Sequence, residues 1–231
     1  MQLTMNKLIK IKDEEQKKAI NAWAKRKFTG SIIAGTGFGK SRCGVIAAGK
    51  TLDTIDTAKA IVLVPTTQLQ AQFKEEFIKW GYEHVLDRVE IICYASAYKL
   101  ENNHYDVVVC DEVHLGLSPE YRKFFENNTW NRILSMTATL PEDMEYCEIL
   151  QEIAPTVYKI TLDECVNLEL VSPYEVLCVP VELDSVEKAE YDKANKTFVY
   201  AKYQLGQFDA FEKANYIMGA GKHTATGQEK A

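Results

Sequence analysis

The sequence predicts an α/β domain in which a mainly parallel sheet is flanked by helices, followed by an extended and helical C-terminal arm. Three observations support this prediction. Short apolar runs alternate with amphipathic stretches from about residue 14 to residue 160. Most of the apolar runs are continuous rather than alternating with polar residues, and the stretches between them are long enough for a helix. Strands buried on both faces and separated by helices are typical of parallel sheets.

Each element is predicted from its local pattern. The predicted strands are runs rich in apolar and β-branched residues: 31–34, 60–64, 89–93, 107–110, 133–136 and 156–160. The predicted helices have apolar residues at helical spacing: one beginning at Asp13, then 40–48, 68–80 and 142–153. Residues 173–181 are predicted to be extended. Asp184 followed by Glu187 predicts a capping box that opens a long helix.

Three segments are expected along the chain. Residues 1–30 form an N-terminal helical segment, residues 31–165 the main α/β domain, and residues 166–231 a linker and helical arm with a mobile tail from Gly219. Eight basic and three acidic side chains give residues 1–30 a charge of +5, while residues 141–231 carry −9. The basic opening is either close to a phosphate group or a solvated helix face.

The composition excludes several classes of protein. With 46% hydrophobic residues among 231, the chain can bury a core and is not a disordered protein. Its net charge of −6 gives no general attraction to nucleic acid. No apolar run approaches the ~18–20 residues of a membrane span, and the first residues lack a secretory signal. The six cysteines include no C-x-x-C pair. We therefore expect a cytoplasmic protein, in the host cytoplasm if a phage encodes it, without zinc or disulfide bonds.

A glycine-rich segment between the first predicted strand and the next helix has the form of a phosphate-binding loop. It reads Ala34-Gly35-Thr36-Gly37-Phe38-Gly39-Lys40-Ser41. Its glycines allow successive backbone N–H groups to point into one concavity, and the helix N-terminus adds partial positive charge. Lys40 supplies a full charge for the outer phosphates, and the Ser41 hydroxyl is suited to Mg²⁺. The general pattern has glycine where this chain has Ala34, and the alternative interpretation is a simple glycine-rich turn.

Two carboxylates follow a later buried strand. Asp111 and Glu112 come directly after residues 107–110, and sheets of this type bind ligands at the carboxyl ends of their strands. Asp111 is suited to hold Mg²⁺, and Glu112 to orient and deprotonate an attacking water. An isolated Asp-Glu pair predicts little, but downstream of a phosphate-binding loop it predicts a site for Mg²⁺ and ATP.

Three polar residues near the same strand ends have two interpretations each. His114 follows the carboxylates and belongs either to the nucleotide site or to the packing of the fold. Thr137 and Thr139 follow the next strand, where their hydroxyls either couple the phosphate site to another surface or cap a turn.

Together these segments resemble the first motor domain of superfamily 2 helicases and translocases, which is a RecA-like P-loop domain. Residues 34–41 match motif I in the form that has alanine at its first position, and residues 111–114 match the DExH form of motif II. Residues 135–139 match motif III and residues 64–69 match motif Ia. The resemblance covers about residues 10–160 and, among subgroups, is strongest to the DNA-repair and phage-type DExH translocases.

The resemblance implies an ATP hydrolase that uses Mg²⁺ and moves on or unwinds nucleic acid. The implied catalytic residues are Lys40, Asp111 and Glu112, with Ser41 and Asp111 holding Mg²⁺. The residues implied to bind the nucleotide are Gln16, through adenine, the loop residues from Ala34 to Ser41, and His114. Those implied to contact the nucleic-acid backbone are Pro65, Thr66, Gln68 and Ser96. Thr137 and Thr139 are implied to couple the two sites.

The resemblance also implies a second RecA-like domain that supplies an arginine finger. No counterpart of its motifs follows residue 160, so we expect the chain to be the N-terminal half of a longer protein, with weak ATP binding and little hydrolysis by itself. DNA is expected as the partner rather than RNA, and a membrane is not. An alternative function is an ATP-switched clamp on nucleic acid or protein. The aromatic residues of the C-terminal helix are expected to pack on the motor domain, with base stacking as the alternative.

Overall fold

The structure, a computed structural model, describes residues 2–141, 143–172, 177 and 182–205, with side chains from residue 9 to residue 199 within those ranges. The chain separates into two units, residues 1–174 and residues 175–231. Nearly all of the predicted extended segment and the whole predicted mobile tail lie outside the described residues.

Six parallel strands form the sheet of the first unit, in the order β3-β2-β5-β7-β1-β8. Their bounds are β1 Thr29–Ala34, β2 Ala60–Val64, β3 Val89–Cys93, β5 Val107–Cys110, β7 Ile133–Thr137 and β8 Thr156–Ile160. The predicted α/β fold with a mainly parallel sheet is confirmed. A separate two-stranded sheet pairs β4 (His104–Tyr105) with β6 (Thr129–Trp130). Its strands were missed because two residues are too few to show a period.

Helices occupy the connections between the strands. Their bounds are α1 Gln2–Lys25, α2 Lys40–Thr54, α3 Thr67–Lys79, α4 Tyr94–Ala97, α5 Lys123–Asn127, α6 Met144–Ile153, α7 Leu162–Asn167 and α8 Ser185–Leu205. The predicted start of the first helix at Asp13 was wrong, since α1 begins eleven residues earlier at Gln2. The second predicted helix, 40–48, ended too early, because α2 continues to Thr54. None of the described helices is long and apolar enough to cross a membrane.

The sheet is buried on both faces, as its continuous apolar strands predicted. Val62, Val109 and Met136 pack on one face with side chains of α1 and α2, whereas Leu63 and Val108 pack on the other face. Alternation of side chains along each strand produces this division, because successive residues point to opposite faces. The sheet is therefore a middle layer, and its carboxyl-terminal edge is left for the loops that hold the candidate site.

The first unit extends past the predicted segment boundary at residue 165. Cys165 of α7 is fully buried in the core, and Leu170 and Val171 pack against the same core. In the second unit, the predicted capping box opens α8 and is confirmed. The Asp184 carboxylate accepts from the Glu187 N–H at 2.9 Å, and the Glu187 carboxylate accepts from the Asp184 N–H at 3.1 Å.

Candidate nucleotide-binding site

The glycine-rich loop joins the carboxyl end of β1 to the first turn of α2. Gly37 and Gly39 have φ angles of 91° and 90°, in the left-handed region that glycine adopts without the steric cost of a side chain. A Cβ atom at Gly39 would lie 2.3 Å from the Gln16 amide nitrogen, so a side chain there would displace that amide in addition to straining the backbone. Thr36 and Gly37 are exposed, whereas Phe38 is fully buried. The loop is thus held by one buried ring and exposes its glycine backbone.

Lys40 brings a positive charge into the space between the loop and the acidic strand end. Its side chain is 9% exposed, and its Nζ donates a hydrogen bond to the Ala34 carbonyl oxygen at 2.9 Å. The same Nζ lies 3.6 Å from Glu112 Oε1. The glycine-rich loop after β1 and the carboxylates after β5 therefore lie close together, as is required if both are to bind the same nucleotide. A lysine ammonium has three donors, so this group can also bind a phosphate oxygen.

Asp111 is a buried carboxylate at the end of β5. It is 7% exposed, and burial raises its pKa to about 6, with the charge of Glu112 acting in the same direction and Lys40 opposing both. A carboxylate in this setting is stabilised by added positive charge. Carboxylate and hydroxyl oxygens are ligands that Mg²⁺ prefers, so Asp111 and the half-buried Ser41 are residues of the right chemistry for that ion.

Glu112 is held from the neighbouring strand β7. Its backbone is left-handed, with φ 46° and ψ 56°, which is uncommon for a residue with a side chain. Its Oε2 accepts a hydrogen bond from the Ala138 N–H at 3.3 Å and lies 3.2 Å from Thr137 Oγ1. Because β7 lies between β5 and β1 in the sheet, these contacts direct the other oxygen, Oε1, toward Lys40.

His114 and the two threonines form a group behind Glu112. His114 Nδ1 lies 2.9 Å from Thr137 Oγ1 and 3.5 Å from Glu112 Oε2. The Thr137 hydroxyl also lies 2.8 Å from the Thr139 carbonyl oxygen, and the Thr139 N–H donates to it at 3.3 Å. Thr137 has both a structural contact, which closes a turn, and a contact with Glu112, the candidate catalytic residue. The structure is therefore compatible with a structural role and with a role at the nucleotide site.

Gln16 lies between the phosphate loop and a cavity of about 390 Å³. Its Nε2 donates to the Phe38 carbonyl oxygen at 2.7 Å, and its Oε1 accepts from Arg42 Nη1 at 2.8 Å. The cavity is lined by side chains of α1, of the start of α2 and of the end of α3: Ile9, Lys12, Asp13, Gln16, Gly39, Ser41, Arg42, Glu76, Lys79 and Trp80. Its volume falls in the range of small-ligand sites.

Arg42 forms one wall of this cavity. Its guanidinium lies 4.0 Å from the centre of the Trp80 ring and pairs with the Asp13 carboxylate. Its Nε atom is buried and has no hydrogen-bond partner among the described residues. A buried donor without a partner is costly and therefore open to an additional acceptor.

The residues with an implied nucleic-acid contact follow two other strands of the same sheet edge. Pro65, Thr66 and Gln68 come after β2, and Ser96 comes after β3. Thr66, Gln68 and Ser96 are exposed and Pro65 is half-buried. The Thr66 hydroxyl caps α3 by accepting from the Leu69 N–H at 3.4 Å. The four residues thus share one side of the sheet edge, next to the end of β5.

Sequence analysis missed several residues that the structure brings to the loop. Lys12 Nζ donates to the Gly37 carbonyl oxygen at 2.6 Å, but one lysine in a basic helix has no distinguishing signal. Arg42 directly follows the glycine-rich loop, residues 34–41, so its position in the sequence did indicate that it lies near the site. Trp80 ends the predicted helix 68–80, and nothing in its local pattern distinguishes it from the other apolar residues of that helix. A role for Trp80 at a cavity depends on how α3 packs beside α2, which the sequence does not state.

Comparison with known proteins identifies the family. Residues 10–142, more than half of the chain, match the family described as type III restriction enzyme, res subunit. The chain belongs to this family. The resemblance to superfamily 2 helicases is thereby confirmed, and the described domain is a RecA-like, helicase-type ATPase motor domain. No curated protein gives a significant sequence match.

A solved structure of a helicase domain supports the fold of this family member. The chain is similar to the Hef helicase domain of Pyrococcus furiosus, with a TM-score of 0.51 and 16% identity over 87% of this chain and 53% of that one. It is also similar to the UvsW helicase of bacteriophage T4, with a TM-score of 0.49 and 15% identity over 63% of this chain and 59% of that one. The chain thus spans little more than half the length of these two proteins.

Proposed function

We propose that this chain is the ATP-binding N-terminal motor domain of a nucleic-acid-dependent ATPase that translocates on or unwinds nucleic acid, with DNA as the preferred track. The observation that carries the proposal is the 3.6 Å approach of Lys40 Nζ to Glu112 Oε1, which unites the phosphate loop and the DExH segment in one site. The family and the sheet topology support the same assignment.

The residues divide the chemistry of ATP hydrolysis among them. The loop N–H groups and Lys40 bind the phosphates, and Lys40 stabilises the negative charge that develops on the transferred group. Glu112, fixed by Ala138 and Thr137, orients the attacking water and takes its proton. Asp111 and Ser41 would hold Mg²⁺, which would neutralise charge on the outer phosphates. His114 keeps the carboxylate of Glu112 in place.

The cavity beside the loop is the proposed place of the nucleobase. Gln16 lines this cavity, and its amide oxygen, which accepts one hydrogen bond from Arg42, has a second lone pair for a donor on the adenine edge. The Arg42 guanidinium lies 4.0 Å from the centre of the Trp80 ring, and a guanidinium is a planar group that stacks on aromatic rings. We include both residues in the proposed base site.

The exposed residues after β2 and β3 are the proposed contacts to the nucleic-acid backbone. Hydroxyl, amide and backbone N–H groups bind phosphates without reading the bases. Thr66, Gln68, Ser96 and the turn at Pro65 supply such groups on the edge of the sheet that also holds Asp111. Such contacts do not require a basic surface, so the net charge of −6 is compatible with this role.

The proposal is tested by measuring the binding of fluorescently labelled ATP with Mg²⁺ to the wild-type chain and to Lys40→Ala. We expect Lys40→Ala to weaken binding at least about tenfold, because a charge-assisted contact to phosphate contributes about 1.5–3 kcal/mol. Lys50→Ala is the matched control, because Lys50 is exposed on the same helix. Equal affinity of the wild type and Lys40→Ala would contradict the assignment of the site.

The nature of the track is tested in the intact protein. ATP hydrolysis is measured with single- and double-stranded DNA and RNA, together with displacement of a labelled strand. Stimulation by nucleic acid with strand displacement or movement supports the motor. Stimulation by nucleic acid without either would replace the motor with an ATP-switched clamp.

A further inference from the structure

A buried tyrosine links the nucleotide site to the sheet edge after β3. Tyr94 is 2% exposed and is the first residue of α4, which also carries the exposed Ser96. Its hydroxyl donates a hydrogen bond to the Asp111 carbonyl oxygen at 3.0 Å. Because β2 lies between β3 and β5 in the sheet, the side chain of Tyr94 spans the end of one strand to reach the carboxylate segment.

This hydrogen bond acts on the peptide group that determines the backbone angle of Glu112. The Asp111 carbonyl belongs to the peptide unit between Asp111 and Glu112, and the next N–Cα bond has the φ of Glu112, 46°. A left-handed conformation is unfavourable for a residue with a side chain and persists where surrounding contacts hold it. By fixing the direction of that carbonyl, the Tyr94 hydroxyl is one of those contacts.

The ring of Tyr94 is enclosed by the turn that follows Glu112. A Cβ atom on Gly116 would lie 2.5 Å from the ring, so the backbone of that turn packs directly against it. The Tyr121 ring stacks on Tyr94 with centroids 6.4 Å apart and planes 17° apart. Burial raises the pKa of the Tyr94 hydroxyl well above its usual value, so it stays a neutral donor. A shift of α4 is therefore transmitted to the turn by direct contact.

We propose that Tyr94 is a positioning residue that couples the segment carrying Ser96 to the carboxylates Asp111 and Glu112. The inference rests on the proposed function, in which Ser96 contacts nucleic acid. Nucleic acid that fixes α4 also fixes, through Tyr94, the turn that aims Glu112. Linkage requires that the effect be reciprocal, so nucleotide in the site changes the affinity for nucleic acid by the same factor.

The test is the variant Tyr94→Phe, which keeps the ring and removes the hydroxyl. The Kd for fluorescently labelled ATP with Mg²⁺ is measured with and without a saturating single-stranded DNA, and again with RNA of the same sequence. In the wild type we expect nucleic acid to change the Kd about 5- to 150-fold, the usual range of allosteric coupling. In Tyr94→Phe we expect a factor of about 2 or less, while each ligand alone binds within about threefold of wild type.

Two further variants separate coupling from stability. Tyr105→Phe removes the hydroxyl of another buried tyrosine, on the two-stranded sheet, and is expected to keep the wild-type coupling factor. Tyr121→Leu loosens the packing of Tyr94 without removing its hydroxyl, and it is expected to give an intermediate factor. Thermal unfolding of all three variants shows that the comparison is made between folded proteins.

Each outcome bears on one of the two proposals. If Tyr94→Phe keeps the wild-type coupling factor, the proposed role of Tyr94 is overturned. The role is also overturned if Tyr94→Phe fails to bind nucleotide in the absence of nucleic acid, because Tyr94 would then be a purely structural part of the site. A wild type that binds both ligands independently also overturns the coupling but leaves the proposed binding functions standing. A wild type that binds neither DNA nor RNA refutes the proposed function itself.

Discussion

At the scale of single residues, the candidate site combines one positive and two negative side chains at short distance. Lys40 is shared between the Ala34 carbonyl and Glu112, while Asp111 is buried beside Glu112. Two carboxylates and one ammonium leave a net negative charge in a confined space, which disfavours ATP but favours ATP that arrives with a divalent cation. The charge balance of the protein residues thus explains why Mg²⁺ and nucleotide are proposed to bind together.

Replacing Glu112 with glutamine separates binding from hydrolysis. Glu112→Gln keeps the size of the side chain and one oxygen that can accept from Ala138 and Thr137, but it removes the negative charge that faces Lys40 and the ability to take a proton. We expect fluorescently labelled ATP to bind with an affinity within about threefold of wild type, and hydrolysis by the intact protein to fall at least about 100-fold, the lower range for a lost general base. Glu145→Gln, at an exposed glutamate of α6, is the control. Normal turnover by Glu112→Gln would remove that residue from its proposed role.

The raised pKa of Asp111 predicts how stability depends on pH in the absence of Mg²⁺. Its pKa is about 6 in the folded protein against an ordinary value of 3.8, so the folded state binds this proton more tightly than the unfolded state does. The contribution of Asp111 to the free energy of unfolding is therefore complete below pH 4 and is lost as the pH rises through 6. Relative to wild type, Asp111→Asn should gain about 2 kcal/mol between pH 4 and pH 7.

This pH dependence is measured by urea unfolding in EDTA at several pH values between 4 and 7. Asp87→Asn serves as the control, because Asp87 is an exposed aspartate and its replacement changes the net charge equally. If the difference between wild type and Asp111→Asn is the same at every pH, burial does not raise the pKa of Asp111 as described.

At the scale of elements, the predictions from sequence succeeded where one local pattern decided the structure. The strands at 60–64 and 107–110 have the predicted bounds because short, continuous runs rich in β-branched residues favour strands that are buried on both faces of a sheet. α7 was missed although Thr161 and Glu164 form a capping box, because the six residues that follow Thr161 are too few to show helical periodicity. A signal for the start of a helix was present there and was not used.

In the candidate site, too, the features set by local sequence were predictable, and the contacts set by tertiary packing were not. The phosphate loop and the carboxylates were predictable because their residue types and their places after strands are local properties. The pairing of Arg42 with Asp13 and the bond from Tyr94 to Asp111 were not, because each joins two elements whose relative position is decided by packing. Motifs therefore predict the residues that contact a ligand better than they predict the residues that hold those contacting residues in position.

The packing of α2 gives a prediction at this scale. Gly49 lies in the helix interior, where alanine would ordinarily be favoured by up to about 1 kcal/mol. A Cβ at this position would lie 2.2 Å from Tyr82 Cδ1 and 2.5 Å from Cγ, close to the base of the ring, so the ring cannot move aside by a simple rotation. We expect Gly49→Ala to lower the free energy of unfolding by about 1–3 kcal/mol, as for other overpacked cores.

Urea unfolding measures the effect of Gly49→Ala, with Lys50→Ala as the control. Lys50 is the next residue of the same helix and is exposed, so its replacement is expected to change the free energy of unfolding by less than about 0.5 kcal/mol. A stabilised Gly49→Ala would show that helix propensity, rather than the contact with Tyr82, decides the residue at this position.

At the scale of the whole molecule, the fold presents one edge of a sheet on which the two proposed sites lie side by side. The nucleotide residues follow β1, β5 and β7, and the proposed nucleic-acid residues follow β2 and β3, which continue the same sheet. The resemblance to superfamily 2 motors implies a second domain that closes over that edge, and the arginine it is expected to contribute would be worth about 10³–10⁵ in rate. The Hef helicase domain is longer than this chain, which covers 53% of it.

This arrangement predicts that the 231-residue chain by itself binds nucleotide but turns it over slowly. Lys40, Asp111 and Glu112 are proposed to provide phosphate binding and water activation, whereas the implied arginine is expected from another domain. Relative to a typical enzyme at ~10 s⁻¹, we expect ATP hydrolysis by the isolated chain, with saturating single-stranded DNA, to be slower by at least about 10³-fold. Release of phosphate is measured against Glu112→Gln, which sets the background. Rapid hydrolysis or strand displacement by the isolated chain would mean that a single domain completes the site, and the two-domain arrangement would have to be abandoned.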